Sequence, residues 1–296
     1  MVLDHYVCQK AYEGDIDAVK AWLVADPSRD VTDVFESRDD FSNQLNLLSL
    51  SAGGNPNDGK LALTRWLLAQ GVDPCHHVAP AVTPLYLAAS TAGQRGSLEL
   101  VSMFLEAAPL ERQVASGMTP IRAAIVHGFG GNTNDDDYSP SDTMEMIRLL
   151  LRHGAPLDDS AGYAGLVTGE DSEELPNGGR FSADTCLSAA ETQFPQLAQN
   201  EGFVEAKAVI AGVRACGGSW KSYCRLPHKQ ILRLRSLLSR GRARPRREPI
   251  LQQLRFRRTI PILKKRAAAY RSIVFLCKLG DNGVVWKILE FWQATR

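Results

Sequence analysis

The sequence predicts an all-α fold: a solenoid of helix-turn-helix repeats with short hairpin loops, extended by a basic helical C-terminal segment. Two observations carry the prediction. A short helix, a turn and a longer amphipathic helix recur as a pattern along residues 5–158. The charge then reverses: residues 1–220 hold 14 Lys+Arg and 30 Asp+Glu, a net of −16, and residues 221–296 hold 20 and 3, a net of +17. A boundary near Trp220 follows. With 44% apolar and 23% charged residues among 296, the chain can bury a sizeable core, which excludes a wholly disordered or collagen-like protein.

Four segments align. The first is KAYEGDIDAVKAWL from Lys10. The second is LSLSAGG from Leu48 with GKLALTRWLLAQGVD from Gly59. The third is TPLYLAA from Thr83 with GSLELVSMFLEAA from Gly96, and the fourth is TPIRAAI from Thr119 with DTMEMIRLLLRHGAPLD from Asp142. From Gly59 to Gly96 is 37 residues, and from Thr83 to Thr119 is 36. Each part has a physical reason. Thr83 and Thr119 can cap a helix by accepting an orphan backbone N–H. Pro84 and Pro120 then sit at the first helical position, where a missing N–H costs nothing. The pairs Ala88-Ala89 and Ala123-Ala124 permit close helix approach. Gly14, Gly59 and Gly96 are expected in the turns, and Gly71 and Gly154 are expected to end the second helices. Leu67, Leu68, Leu105, Leu149 and Leu150 are predicted to be buried between helix layers, and Trp22 and Trp66 to be core.

This pattern resembles the ankyrin repeat: a Thr-Pro-Leu start, a double Ala, a Gly before the second helix, a Leu run and a closing Gly-Ala-Asp. The resemblance covers residues 5–158 in four units. Asn46-Leu47 replaces Thr-Pro in the second unit, and Tyr86 and Arg122 stand where the family usually has His. Val126–Ser141 reads as an insertion and residues 159–184 as a loop. Residues 185–220, with TCLSAAET from Thr185 and FVEAKAVIAGVRACGG from Phe203, read as a degenerate fifth unit. The resemblance implies a non-catalytic scaffold that binds a protein partner on a concave surface. Tyr86 and Arg122 occupy equivalent positions on successive first helices. His76, His77, Arg112 and Gln113 fall in connections expected to form neighbouring hairpin tips. These six are the candidate protein-binding residues.

Residues 221–296 form the basic extension, with a linker around 240–250 where RGRARPRREP precludes a regular element. Leu226, Ile231, Leu234 and Leu238 recur at helical spacing, and Pro227 suits a helix start. GDNGVVWKIL from Gly280 aligns with GDIDAVKAWL from Gly14. The tail is similar to that of algal ankyrin proteins. Cys224-Arg225 before an amphipathic helix also resembles the start of the SOCS box, whose Leu-Pro-rich stretch is absent here. Two alternative functions follow. One is a ubiquitin-ligase substrate receptor, with the C-terminal helices recruiting the ligase. The other is a nuclear, nucleic-acid-associated protein using its basic tail.

No phosphate loop, G-x-S-x-G, H-E-x-x-H or C-x-x-C pair occurs, so no catalysis and no cofactor are expected. Cys75-His76-His77 lacks a second ligand pair, and Asn132, Asn134 and Asp136 lack the Gly and Glu of a calcium loop, so no metal is expected. Cys8, Cys186 and Cys277 read as buried apolar residues. No apolar run is long enough to span a membrane. The first residues lack a basic region followed by an apolar one. A cytoplasmic, possibly nuclear, protein is the expectation.

Overall fold

The structure, a computed structural model, describes residues 4–36, 44–76, 82–113, 118–130, 139–158 and 182–239. The expectations placed on His77, Asn132, Asn134, Asp136, Cys277 and the 280–296 tail lie outside these residues. The chain divides into two units, 1–220 and 221–296.

The first unit is built almost entirely from helices. In order they are α1 (His5–Glu13), α2 (Ile16–Ala25), α3 (Leu47–Ala52), α4 (Asp58–Ala69), α5 (Pro84–Ala89), α6 (Ser97–Ala107), α7 (Leu110–Gln113), α8 (Pro120–Gly130), α9 (Pro140–Arg152), α10 (Ala183–Gln193) and α11 (Glu201–Ala215). Among the described residues five helix pairs recur: α1 with α2, α3 with α4, α5 with α6, α8 with α9, and α10 with α11. The first helices pack in the sequence α1, α3, α5, α8, α10. The second helices pack in the parallel sequence α2, α4, α6, α9, α11. Two helix layers result, with the core between them.

Local chemistry sets each start. The Thr83 hydroxyl accepts the Tyr86 N–H at 3.3 Å, and Thr119 accepts that of Arg122 at 3.1 Å. Where Thr-Pro is missing, Asn46 does the same work: its side chain accepts the Ser49 N–H at 2.8 Å while Ser49 Oγ accepts the Asn46 N–H at 3.0 Å. The second unit thus keeps its cap by a reciprocal box. Ala88, Ala89, Ala123 and Ala124 are fully buried, which lets the first helices approach closely. Helix ends are equally specified. After α9, Gly154 at φ 89° lets the Ala155 N–H reach the Leu150 carbonyl at 3.0 Å.

Several expectations are corrected. A two-stranded antiparallel ribbon, β1 (Val34–Glu36) with β2 (Gln44–Asn46), joins the first two pairs. Gly59 is not a turn residue but lies inside α4, where a Cβ would come within 2.6 Å of the Gly14 carbonyl oxygen. The residues from Val126 to Gly130 continue α8 as helix, and α9 begins at Pro140, so only the middle of the presumed insertion lies between them. That extra length is anchored: Phe129 is 1% exposed and meets Phe203 of α11 edge-to-face, with centroids 5.1 Å apart. Leu67, Leu105 and Leu150 are buried, but Leu68 and Leu149 are half-buried, because the core stripe of these helices runs through Leu63–Leu67 and Ile147–Leu150–Leu151. Trp22 is buried as expected. Trp66 is half-buried, with the Lys20 ammonium 5.4 Å from its ring centroid. Cys8 and Cys186 are buried.

The fifth pair starts earlier than Thr185. Ser182, read as loop, caps α10 through a box with Thr185 and bridges Asp158. Arg214 of α11 holds both ends of this junction, contacting Asp158 with two nitrogens at 2.7 and 3.1 Å and also Asp184. These bonds to carboxylates raise the already high pKa of the Arg214 guanidinium.

The second unit is described over residues 221–239, which lie in α12 (Trp220–Ser239). Pro227 is inside this helix rather than at its start, and so is the Cys224-Arg225 dipeptide. A proline removes one backbone donor without ending a helix that the flanking residues propagate. Among the described residues no helix is long and apolar enough to cross a membrane.

Candidate partner-binding surface

The first helices α5 and α8 are direct neighbours, so the structure brings Tyr86 and Arg122 to matching places on adjacent helices. Each follows its capping threonine by three residues, and each is half-buried with part of its side chain facing solvent. His76, in the turn after α4, is half-buried, and its N–H donates to the Asp73 carbonyl at 3.3 Å. Arg112 is exposed on α7, a short helix absent from the repeat pattern.

Electrostatics link two of these connections. Burial pushes the Cys75 thiol up from its ordinary value, and the Asp73 carboxylate adds to the rise. The Arg112 guanidinium opposes it, so Arg112 lies near the Cys75–His76 turn. Tyr86 and Arg122 thus stand at equivalent positions on neighbouring first helices, and Arg112 influences the turn that holds Cys75. Among the described residues no group of three His, Cys, Asp or Glu is arranged to hold a metal ion.

Gln113 does not belong to this surface. It is 1% exposed, and its amide nitrogen donates to the Phe104 and Ala108 carbonyls, both at 2.8 Å. Both carbonyls lie at the C-terminal end of α6; that of Phe104 also accepts the Ala108 N–H at 3.3 Å, and Gln113 serves as a side-chain cap to the two. A polar residue next to an exposed arginine read as binding because sequence gives no sign of which way α7 turns it.

Sequence reasoning also missed three residues. Val126 and His127 are exposed on the continuation of α8, where an insertion was read. Partial desolvation holds His127 below its ordinary pKa, and the Arg122 guanidinium adds to the effect. The sequence signal was available: Ile125 and Phe129 continue the apolar spacing of α8.

The third is Lys60, 2% exposed at the start of α4. Its ammonium donates to the Gly53 carbonyl and lies 4.2 Å from the Tyr12 ring centroid. Burial lowers its pKa. The folded state therefore releases this proton more readily than the unfolded chain. Between the lowered value and the ordinary 10.5, the unfolded state binds more protons, so this lysine's contribution to stability rises with pH. Lys60→Met removes that contribution. The stability of the parent relative to the variant is expected to increase between neutral and alkaline pH, measured by urea unfolding. A difference that stays constant would refute the assignment.

No protein-family model and no curated protein matches this chain.

Proposed function

We propose that residues 5–158 and 185–220 form an ankyrin-type solenoid and that the protein is a non-catalytic scaffold whose concave face binds a protein partner. The observation that carries this reading is the two-layered succession of five helix pairs, in which Tyr86 and Arg122 recur at one position of neighbouring first helices. Repeat stacks of this kind present extended surfaces made of equivalent positions, and a ligand bridges several repeats at once. Tyr and Arg are also the residue types most enriched where binding energy concentrates. The candidate surface is Tyr86, Arg122, His76 and Arg112.

The test is affinity capture from native lysate with the full chain and with Tyr86→Ala/Arg112→Ala. The double variant is expected to lose its specific partner by at least ten-fold, on the order of 1.4 kcal/mol or more, while keeping its melting temperature. Equal capture by both proteins would overturn the assignment of the surface. A parallel fall in melting temperature would show that these side chains hold the repeats together instead.

A further inference from the structure

Helix α12 carries a chemistry that protein binding by the repeats does not use. Its charged residues are Lys221, Arg225, Lys229, Arg233 and Arg235, and it contains no carboxylate. The first four stand four residues apart, a spacing that sets them in a single row along a helix. All four are exposed, and none makes an ion pair among the described residues. By helical spacing Tyr223, Ile231, Leu234 and Leu238 fall on the opposite arc, while Leu232 falls within the cationic row and Leu237 continues it. Leu226, between the row and that arc, is 41% exposed.

We propose that α12 binds an anionic lipid surface, lying in its plane with the cationic row on the headgroup phosphates and the apolar arc toward the acyl boundary. Strong amphipathicity, a purely cationic polar face and low overall apolarity are the marks of a helix that lies on a membrane. No described helix can span one. Over residues 221–296 the composition, 20 Lys+Arg against 3 Asp+Glu, favours an anionic surface. A nucleic acid accounts for the charge but not for the apolar arc, and the cationic row contains no aromatic residue on which a base would stack.

The experiment is co-sedimentation of the full chain with phosphatidylcholine vesicles, with and without about one-third phosphatidylserine, at about 0.1 M salt and again at high salt, where screening shortens to a few ångströms. Binding is expected to the phosphatidylserine vesicles alone and to be lost at high salt. Arg225→Glu and Lys229→Glu should each lower partitioning by roughly five-fold or more. Leu226→Asp should weaken binding as well, with the ellipticity of all three variants unchanged. Failure to sediment with phosphatidylserine, or equal sedimentation with phosphatidylcholine alone, overturns the proposal. So does retention on duplex DNA that depends on Arg225 and Lys229 when vesicle binding is indifferent to Leu226→Asp, a result that assigns the helix to nucleic acid.

Discussion

Phe203→Ala is expected to lower the unfolding free energy by about 3–5 kcal/mol, the range for removing a fully buried aromatic ring. Phe203 is completely buried and Phe129 nearly so, and their rings meet at 88°. The contact joins α8, in the first layer, to α11, in the second, so it ties the fourth pair to the fifth. Phe129→Ala should cost a similar amount. The double variant should fall short of the sum by about 0.5–1.5 kcal/mol, the coupling expected of an edge-to-face pair. Urea unfolding followed by circular dichroism reads all three. A midpoint for Phe203→Ala equal to the parent's would show that the fifth pair is not part of the cooperative core.

The second large effect is at Gly14. Its φ of 84° is strained for any residue with a side chain, and a Cβ there would sit 2.4 Å from the Lys60 backbone nitrogen. Two costs add in Gly14→Ala: about 1–2 kcal/mol for the left-handed backbone and about 1–3 kcal/mol for overpacking against a main chain that cannot rotate aside. Gly154 is the control. Its φ is 89°, but nothing lies within 4 Å of an added Cβ. Gly154→Ala should cost only the backbone part, about 1–2 kcal/mol. If the two variants melt together, the close approach of α4 to the turn before α2 is not a constraint on the fold.

Much of the helical framework was legible because its signals are local. Thr83-Pro84 and Thr119-Pro120 fix helix starts through bonds made within four residues, and the alanine pairs mark which faces must meet. The errors at Gly59 and Val126–Gly130 fall where the outcome depends on residues distant in sequence. Gly59 reads as a turn glycine, but what it requires is room for the Gly14 carbonyl, supplied 45 residues earlier in the chain. Val126–Gly130 reads as insertion because its purpose is to deliver Phe129 to a ring 74 residues later. Of the six candidate binding residues, Tyr86 and Arg122 were placed correctly on adjacent helices by repeat spacing alone. Gln113 was misread because its partners, the Phe104 and Ala108 carbonyls, come into reach only when α7 folds back on α6.

The Asp158–Ser182 junction has a consequence for how this protein can change. The chain leaves the fourth pair and re-enters the fifth at one point, where a backbone bridge and Arg214, bound to Asp158 and Asp184, fasten departure to return. Because Asp158 and Ser182 are bridged directly and both flanks are held by Arg214, the spacing of these two ends is set by the described residues themselves. Foreign peptides or whole small domains spliced between Asp158 and Ser182 should leave the helix stack as it is, which makes this junction the natural port for cargo.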